Sequence, residues 1–221
     1  MTILSYIVVA LVAYLLGSIP TGFLVAKARG IDIRSVGSGN IGAANTFRAV
    51  GRKAGIFVLA MDALKGAAAV WACDLIIWKF FGITDPTVTI HYEVLAGVFA
   101  VLGHNYTCWL HFKGGKGIAT TGGVYLALAP LSVAAGLAAF IIGLVITRIT
   151  SVGSMLAAVA LMTTVLLTQH DLTLRLVTIA LCVLAILKHR TNVQRIIAGT
   201  ENRIEFKKKK PKPEDEAPKD R

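Results

Sequence analysis

Long, largely apolar runs recur along the whole chain, and they constrain its fold more than any other feature. They occupy about residues 3–26, 55–81, 94–110, 118–147, 152–168 and 172–187. A helix of about 20 apolar residues crosses the hydrocarbon core of a bilayer. With 55% hydrophobic and 16% charged residues, the chain is too apolar for an ordinary soluble domain. The runs are continuous rather than alternating, which disfavours a β-barrel, so the sequence predicts an all-α, polytopic membrane helix bundle.

Basic residues between the runs predict the side of the membrane on which each connection lies. Residues 27–53 carry six Lys and Arg residues and residues 82–93 carry none, so the first connection is expected inside and the second outside. One helix over 118–147 would be about 45 Å long, so we expect two short helices separated near Pro130. This arrangement predicts seven transmembrane helices, with the N-terminus outside and the C-terminus in the cytoplasm.

The composition changes after residue 200. We expect residues 1–200 to form the integral membrane domain and residues 201–221 to form a charged, disordered cytoplasmic tail, because the tail has almost no apolar residue to bury. The basic run 207–210 is expected either to contact anionic lipid or only to set topology. The net charge of +11 does not indicate a nucleic-acid partner, because it lies outside the spans and no aromatic-interleaved basic groove is visible.

Two glycine-rich, cationic segments fall on the predicted cytoplasmic side. The first, SVGSGNIGAANTFRAVGRKAG at residues 35–55, combines exposed glycine amides with Arg48, a combination suited to phosphate. The second, GHNYTCWLHFKGGKGIATTGG at residues 103–123, places Lys113 and Lys116 around two glycines before a predicted helix. KGGKG lacks the spacing of a P-loop. For each segment the alternative is a flexible basic loop that only sets topology.

A third polar segment, KHRTNVQRIIAGTE, follows the last apolar run at residues 188–201. His189 and Asn192 are three residues apart, so they share a helix face. A histidine at the membrane boundary can act as a base or as a donor, and the alternative is an interfacial histidine without a chemical role. The short stretch SVGS, which contains Ser154, falls on the same predicted side.

Four charged residues lie inside the second apolar run, and two of them, Asp62 and Lys65, are near its predicted cytoplasmic end. Ionised groups within a bilayer are costly, and a spacing of three residues lets these two pair, so we expect a structural ion pair. The remaining candidate metal ligands show neither zinc nor redox spacing, so no metal or cofactor is expected at them: His104, His111, Cys73, Cys108 and Cys182.

Together, SGNIGAANTFRAVG, GHNYTCWLHFKGGKGIAT and KHRTNVQRIIAGTE resemble the three motifs of the bacterial acyl-phosphate-dependent glycerol-3-phosphate acyltransferases, the PlsY type. GSIPTGFLVAK is similar to the end of that family's first span, and the resemblance extends to about Glu201. It implies transfer of an acyl group from acyl phosphate to the 1-hydroxyl of glycerol 3-phosphate, which yields lysophosphatidic acid and phosphate. It also implies seven spans in the bacterial inner membrane among membrane lipids, a site facing the cytoplasm, and no obligate protein partner.

The resemblance carries a set of site residues onto the matching positions. The catalytic candidates are His189, Asn192 and Ser38, and the substrate- or phosphate-binding candidates are Arg48, Lys116, Asn40, Asn45 and Gly39, with Ser154 added from SVGS. Arg48 and Lys116 are expected to hold phosphate, and Ser38 with neighbouring amides to bind the leaving group and the carbonyl oxygen. His189 is expected to position the attacking hydroxyl, whose proton passes either to His189 or to the substrate phosphate.

Two other functions remain open at this stage. An organic-phosphate transporter would also need cationic, glycine-rich elements beside broken helices, but the chain shows no internal repeat and its cationic groups cluster on one face. A purely structural membrane protein would leave the three polar segments unexplained. The absence of a histidine followed five residues later by aspartate argues against an acyl-CoA or acyl-carrier-protein acyltransferase of the common type.

Overall fold

The computed structural model describes residues 3–204, and within that range all regular structure is helical. This confirms the all-α prediction for the described part of the chain. The predicted disordered tail from residue 205 onward, with its lysine run at 207–210, lies outside the described residues. The helices are α1 (Ile3–Ser18), α2 (Thr21–Lys27), α3 (Ala43–Ala49), α4 (Arg52–Phe81), α5 (Pro86–Asn105), α6 (Ile118–Leu128), α7 (Pro130–Thr147), α8 (Thr150–Thr168), α9 (Leu172–Lys188) and α10 (Arg190–Ile197).

Helix boundaries follow local sequence signals. The Asp85 side chain accepts the N–H of Thr87 at 2.9 Å and begins α5, and Asp171 caps α9 in the same way through Leu174. α4 ends at Gly82, which takes the left-handed conformation that glycine adopts without strain. The break predicted near residue 130 is confirmed, because α6 ends at Leu128 and a proline begins α7.

Helix length and apolar composition give five or six candidate membrane spans. Within residues 3–204, five helical segments are long and apolar enough to cross a membrane, and α9 with α10 makes a sixth if the 49° bend between them is part of one span. α6 has 11 residues, about 16 Å of helix, against a hydrocarbon core of about 30 Å. The seven spans and the orientation of the termini therefore stay predictions.

The main core lies where α1, α4, α5 and α6 meet. Small residues allow close approach there: a side chain at Gly17 would collide with the backbone of Ala100 in α5. Tyr92 and Tyr125 are fully buried in this core. α7 and α8 pack chiefly on each other and expose leucine and isoleucine side chains, as expected for surfaces that face lipid.

A smaller core lies under the polar end of the bundle. Ala26, Ile33, Ile41 and Leu110 are buried together there, so α2 and the two connections that follow α2 and α5 rest on one apolar platform. This platform positions the two glycine-rich segments beside each other, although 47 residues separate them in the chain.

Candidate active site

A cavity of about 310 Å³ lies between the glycine-rich segments, α4, α8 and the junction of α9 with α10. It is lined by residues from all three motifs and from SVGS. Of the predicted site residues, Gly39 does not line it. Those that do are Ser38, Asn40, Asn45, Arg48, Lys116, Ser154, His189 and Asn192. The structure therefore brings together side chains separated by as many as 154 residues in the chain.

The first loop, residues 28–42, is folded around a single buried amide. Asn45 accepts the Ser38 N–H through Oδ1 at 2.9 Å, and its Nδ2 donates to the carbonyls of Val36 and Ile33 at 3.0 and 3.2 Å. Its side chain is 1% exposed and engaged on both sides. Asn45, predicted to bind substrate, thus positions the loop in this structure. Gly39, with φ +68, supplies a turn that other residues adopt with strain.

Two other predicted residues of the first motif lie on the cavity side of this loop. Asn40 Oδ1 accepts the N–H of Gly42 at 2.9 Å, which orients the entry into α3. Arg48 lies in the last turn of α3 and is solvent-exposed at the cavity. Among the described residues its guanidinium has no hydrogen-bonded protein partner, so its donors are available to an anion.

The second loop, residues 106–117, leans on the end of α5. The amides of Gly114 and Gly115 donate to the carbonyls of Asn105 and His104, at 3.2 and 2.9 Å. Gly115 also lies against the His104 ring, where a side chain at residue 115 would collide. This packing explains the paired glycines of KGGKG as a requirement for close approach, and it aims the following lysine into the cavity.

Lys116 joins the second loop to the third motif. Its ammonium donates to Asn192 Oδ1. Burial lowers the pKa of Lys116, the carboxylate of Glu201 partly opposes this shift, and nearby Arg195 and Arg48 add to it, so that the pKa is about 8. A lysine held in this way carries a positive charge at neutral pH and loses it under mildly alkaline conditions.

His189 lies at the break between α9 and α10 and is 3% exposed. Its Nδ1 is 2.8 Å from the carbonyl oxygen of Ala185. Since a carbonyl can only accept, the neutral ring donates from Nδ1 and keeps Nε2 as an acceptor. The imidazole is therefore held in the tautomer that can accept a proton or a hydroxyl hydrogen bond.

Glu201, which the sequence pattern placed in the charged tail, belongs to the site. Its carboxylate accepts from Asn192 Nδ2 at 2.7 Å, from Arg195 Nε at 2.6 Å and from Ser151 Oγ at 3.1 Å. Burial alone would raise the pKa of Glu201, but these three hydrogen bonds outweigh burial and hold that pKa below its usual value. Glu201 thus ties α10 to α8. The signal that could have found it is its position as the last residue of the third motif.

A buried charge cluster lies behind the cavity. The predicted pair is confirmed: Lys65 Nζ is 2.8 Å from Asp62 Oδ1, and the same ammonium donates to the Ile19 carbonyl at 2.8 Å, between α1 and α2. His104 Nδ1 lies 3.6 Å from the same carboxylate oxygen. Asp62 and His104 also line the cavity, which sequence spacing did not indicate. Within residues 3–204, no three His, Cys, Asp or Glu side chains are grouped to hold a metal ion.

Comparison with known proteins agrees with this geometry. The family model for glycerol-3-phosphate acyltransferase matches residues 7–199. A glycerol-3-phosphate acyltransferase of Geobacter sulfurreducens is 45% identical over 201 residues, which cover 91% of this chain and 98% of that one. Its counterpart in Bacillus subtilis is 45% identical over 199 residues, which cover 89% and 96% of the two chains.

Two solved structures share the fold. The crystal structure of PlsY (YgiH), an integral membrane glycerol 3-phosphate acyltransferase, in its glycerol 3-phosphate form matches with a TM-score of 0.80 and 36% identity, over 91% of this chain and 96% of that one. The lysophosphatidic acid form matches with a TM-score of 0.78 and 35% identity, over the same shares of the two chains. The chain therefore belongs to the glycerol-3-phosphate acyltransferase family of the PlsY type, as its three motifs predicted.

Proposed function

We propose that the chain transfers an acyl group from acyl phosphate to the 1-hydroxyl of glycerol 3-phosphate, with lysophosphatidic acid and inorganic phosphate as products. The observation that carries the proposal is the convergence of Arg48, Lys116 and His189 on one cavity of about 310 Å³. Two cations from separate segments suit two phosphate-bearing substrates, and a histidine in the same cavity suits the hydroxyl that reacts. The relatives and the solved structures are glycerol-3-phosphate acyltransferases by name.

The cationic groups of the site are expected to hold the two phosphates. Arg48 offers a planar set of donors that matches phosphate oxygens, and Lys116 adds a second positive charge across the cavity. The Ser38 hydroxyl lines the cavity and supplies a neutral donor there, whereas the amides of Ser38 and Gly39 already donate to Asn45 Oδ1 and to the Val36 carbonyl. Donors fixed before the reaction stabilise charge that develops on the carbonyl oxygen, because they need no rearrangement in the transition state.

The proposed reaction is direct attack without an acyl-enzyme. The substrate hydroxyl oxygen forms a bond to the carbonyl carbon, and the bond between that carbon and the phosphate oxygen breaks, so that phosphate leaves with the electron pair. The hydroxyl proton goes to Nε2 of His189 or to the phosphate of the substrate. The hydrogen bond from His189 to the Ala185 carbonyl supports the first route, because it keeps Nε2 free to accept.

Phosphate release provides the test. Purified protein in lipid is given glycerol 3-phosphate with acyl phosphate, and in parallel with acyl-CoA as a rival donor. We expect inorganic phosphate and lysophosphatidic acid in equal amounts from acyl phosphate, and no product from acyl-CoA. An organic-phosphate transporter would release no phosphate. His189→Ala should cut turnover at saturating substrate, while normal turnover in that variant would assign the proton to the substrate phosphate.

The location of the site is proposed from charge. We propose seven spans in the bacterial inner membrane with the cavity facing the cytoplasm, because the basic connections lie at that end of the bundle. A cysteine introduced at the exposed Lys113 tests this. It should react with an impermeant reagent in inside-out vesicles and be protected in right-side-out vesicles. The opposite pattern would reverse the proposed orientation.

A further inference from the structure

A second cavity, of about 180 Å³, adjoins the active-site cavity. Leu59, Ile118 and Phe140 line both, so the second cavity begins where the first ends. Its walls come mainly from α6, α7, α8 and α9 and are apolar over most of their area. At the Tyr125 end of α6, the Tyr125 hydroxyl is satisfied by Thr178 Oγ1 at 2.5 Å, which leaves that end without a free hydrogen-bonding group. Such a space suits an alkyl chain, and no charged residue lines it to hold a phosphate.

Two adjacent glycines on α6 face different surroundings. A side chain at Gly123 would collide with the backbone of Ala63 on α4, so close packing of the two helices requires a glycine there. A Cβ at Gly122 would meet no atom of another element within 4 Å. Gly122 is therefore not needed for packing or for an unusual backbone angle, although a glycine within a helix is destabilising relative to alanine.

What Gly122 does provide is open space. It lines the second cavity and lies one helical turn beyond Ile118, about 6 Å along α6 from the shared mouth. Gly136 on α7 also lines this cavity but already approaches the neighbouring helix, since a Cβ there would lie 3.2 Å from the Ala157 carbonyl oxygen. Of these two glycines, Gly122 is thus the position where an added side chain would fill the cavity without moving a helix.

We propose that the second cavity receives the distal methylene groups of the acyl chain, and that Gly122 determines the longest chain that fits. The inference rests on the proposed acyl transfer, because the acyl chain would extend into the second cavity from a phosphate held in the first. Membrane lipid is as apolar as the cavity wall, so transfer from lipid supplies little selectivity. Discrimination between chain lengths must then come from available space, and the absent side chain at residue 122 provides that space.

The experiment compares kcat/KM for octanoyl, dodecanoyl and hexadecanoyl phosphate. Gly122→Leu should lower the value for the hexadecanoyl donor by about tenfold or more relative to the octanoyl donor, since pockets discriminate by such factors per misfit group. Gly122→Ala should shift the same ratio in the same direction by a smaller factor. Ala138→Leu is the matched control, because Ala138 is exposed on α7 and lines neither cavity, so its ratio should equal that of the wild type.

The outcomes separate this inference from the proposed function. If the wild type releases no phosphate from any acyl phosphate, the proposed function fails. If the wild type is active but Gly122→Leu keeps the wild-type ratio, or lowers kcat/KM equally for all three donors, the acyl chain does not occupy this cavity and the inference is wrong. Should Gly122→Leu not accumulate as folded protein, Gly122→Ala decides the matter, since it adds one methyl group and favours the helix.

Discussion

Each loop of the active site is associated with one cation of the same cavity, since Arg48 lies in α3 directly after the first loop and Lys116 lies within the second. The two loops are supported in different ways. The first loop (residues 28–42) is held by Asn45, a side chain only a few residues away, whose amide bonds three backbone groups of the loop. The second loop (residues 106–117) is held by the end of α5, through the carbonyls of His104 and Asn105, and by Lys188 of α9, which donates to the Asn105 carbonyl at 3.3 Å.

This difference indicates which disturbances each loop should feel. The first loop depends on local hydrogen bonds and on the apolar platform that it shares with the second loop, so changes in the transmembrane bundle should leave Arg48 in place. The second loop rests on His104, which contacts the buried pair of Asp62 and Lys65. Changes in the bundle should therefore move Lys116 first. Substitutions at four positions test the comparison, beginning with the largest expected effect.

Lys65→Met should be the most damaging change. It leaves the buried carboxylate of Asp62 without its cation and removes the hydrogen bond to the Ile19 carbonyl. Removing one partner of a buried pair costs about 3–5 kcal/mol. Unfolding of the purified protein in detergent measures this, with Lys79→Met, an exposed lysine of the same helix, as the control. A loss no larger than in the control would show that the second loop does not depend on the charge cluster.

Asn45→Ala should damage the first loop alone. It leaves the carbonyl of Ile33 and the amide of Ser38 without partners, while the Val36 carbonyl keeps the Gly39 N–H, and each unsatisfied buried group costs about 1–3 kcal/mol. We expect a sharp fall in kcat/KM, measured by phosphate release. Asn45→Asp keeps the acceptor for Ser38 and should retain more activity than Asn45→Ala. Equal activity in the two variants would exclude a role for that hydrogen bond.

The pH dependence of substrate capture should report the second loop. The pKa of Lys116 is about 8 in the folded protein and 10.5 in the unfolded chain, and kcat/KM follows ionisations of the free enzyme. We expect kcat/KM to fall as pH rises through about 8, because the neutral amine no longer attracts phosphate. In Lys116→Arg this step should disappear, since arginine stays charged. An unchanged step in that variant would assign the titration to another group.

The titration of Lys116 should change the free energy of unfolding in the opposite direction to kcat/KM. Because the folded pKa of Lys116 is depressed, the unfolded chain binds the extra proton between pH 8 and 10.5. The free energy of unfolding should therefore rise with pH across that window, and the penalty of burying the charge is fully present below it. Comparing the pH dependence of unfolding for the wild type and Lys116→Met isolates this contribution.

Lys188→Gln should have the smallest effect. It removes the donor to the Asn105 carbonyl and the ammonium that lies 3.8 Å from the centre of the Tyr106 ring. A cation over an aromatic ring contributes about 0.5–1 kcal/mol at an accessible site. We expect a correspondingly small loss of stability and a modest rise in KM. Lys113→Gln, at an exposed lysine of the second loop, is the control. A loss as large as that of Lys65→Met would mean that α9, not α5, carries the loop.

Much of the site could be predicted because its residues occur in long motifs with specific spacing. Local chemistry predicts the helix break near residue 130 and the ion pair at residues 62 and 65. The family resemblance predicts that the three motifs meet. For Asn45 and Glu201 the sequence left the contacts undetermined, for opposite reasons. The motif shows that Asn45 belongs to the site but not which way its amide points, and the charged composition after residue 200 concealed the three partners of Glu201.

The sequence by itself determined that this chain forms apolar helices and which segments carry its chemistry, because hydrophobic runs and short-range spacing act within a few turns of one helix. Only the tertiary structure decided which groups face the cavity and which support it. Burial and hydrogen bonding depend on neighbours that are far away in the chain, such as Lys116 and Asn192. The open position at Gly122 likewise becomes visible only when four helices surround it, since an unfilled space has no residue of its own in the sequence.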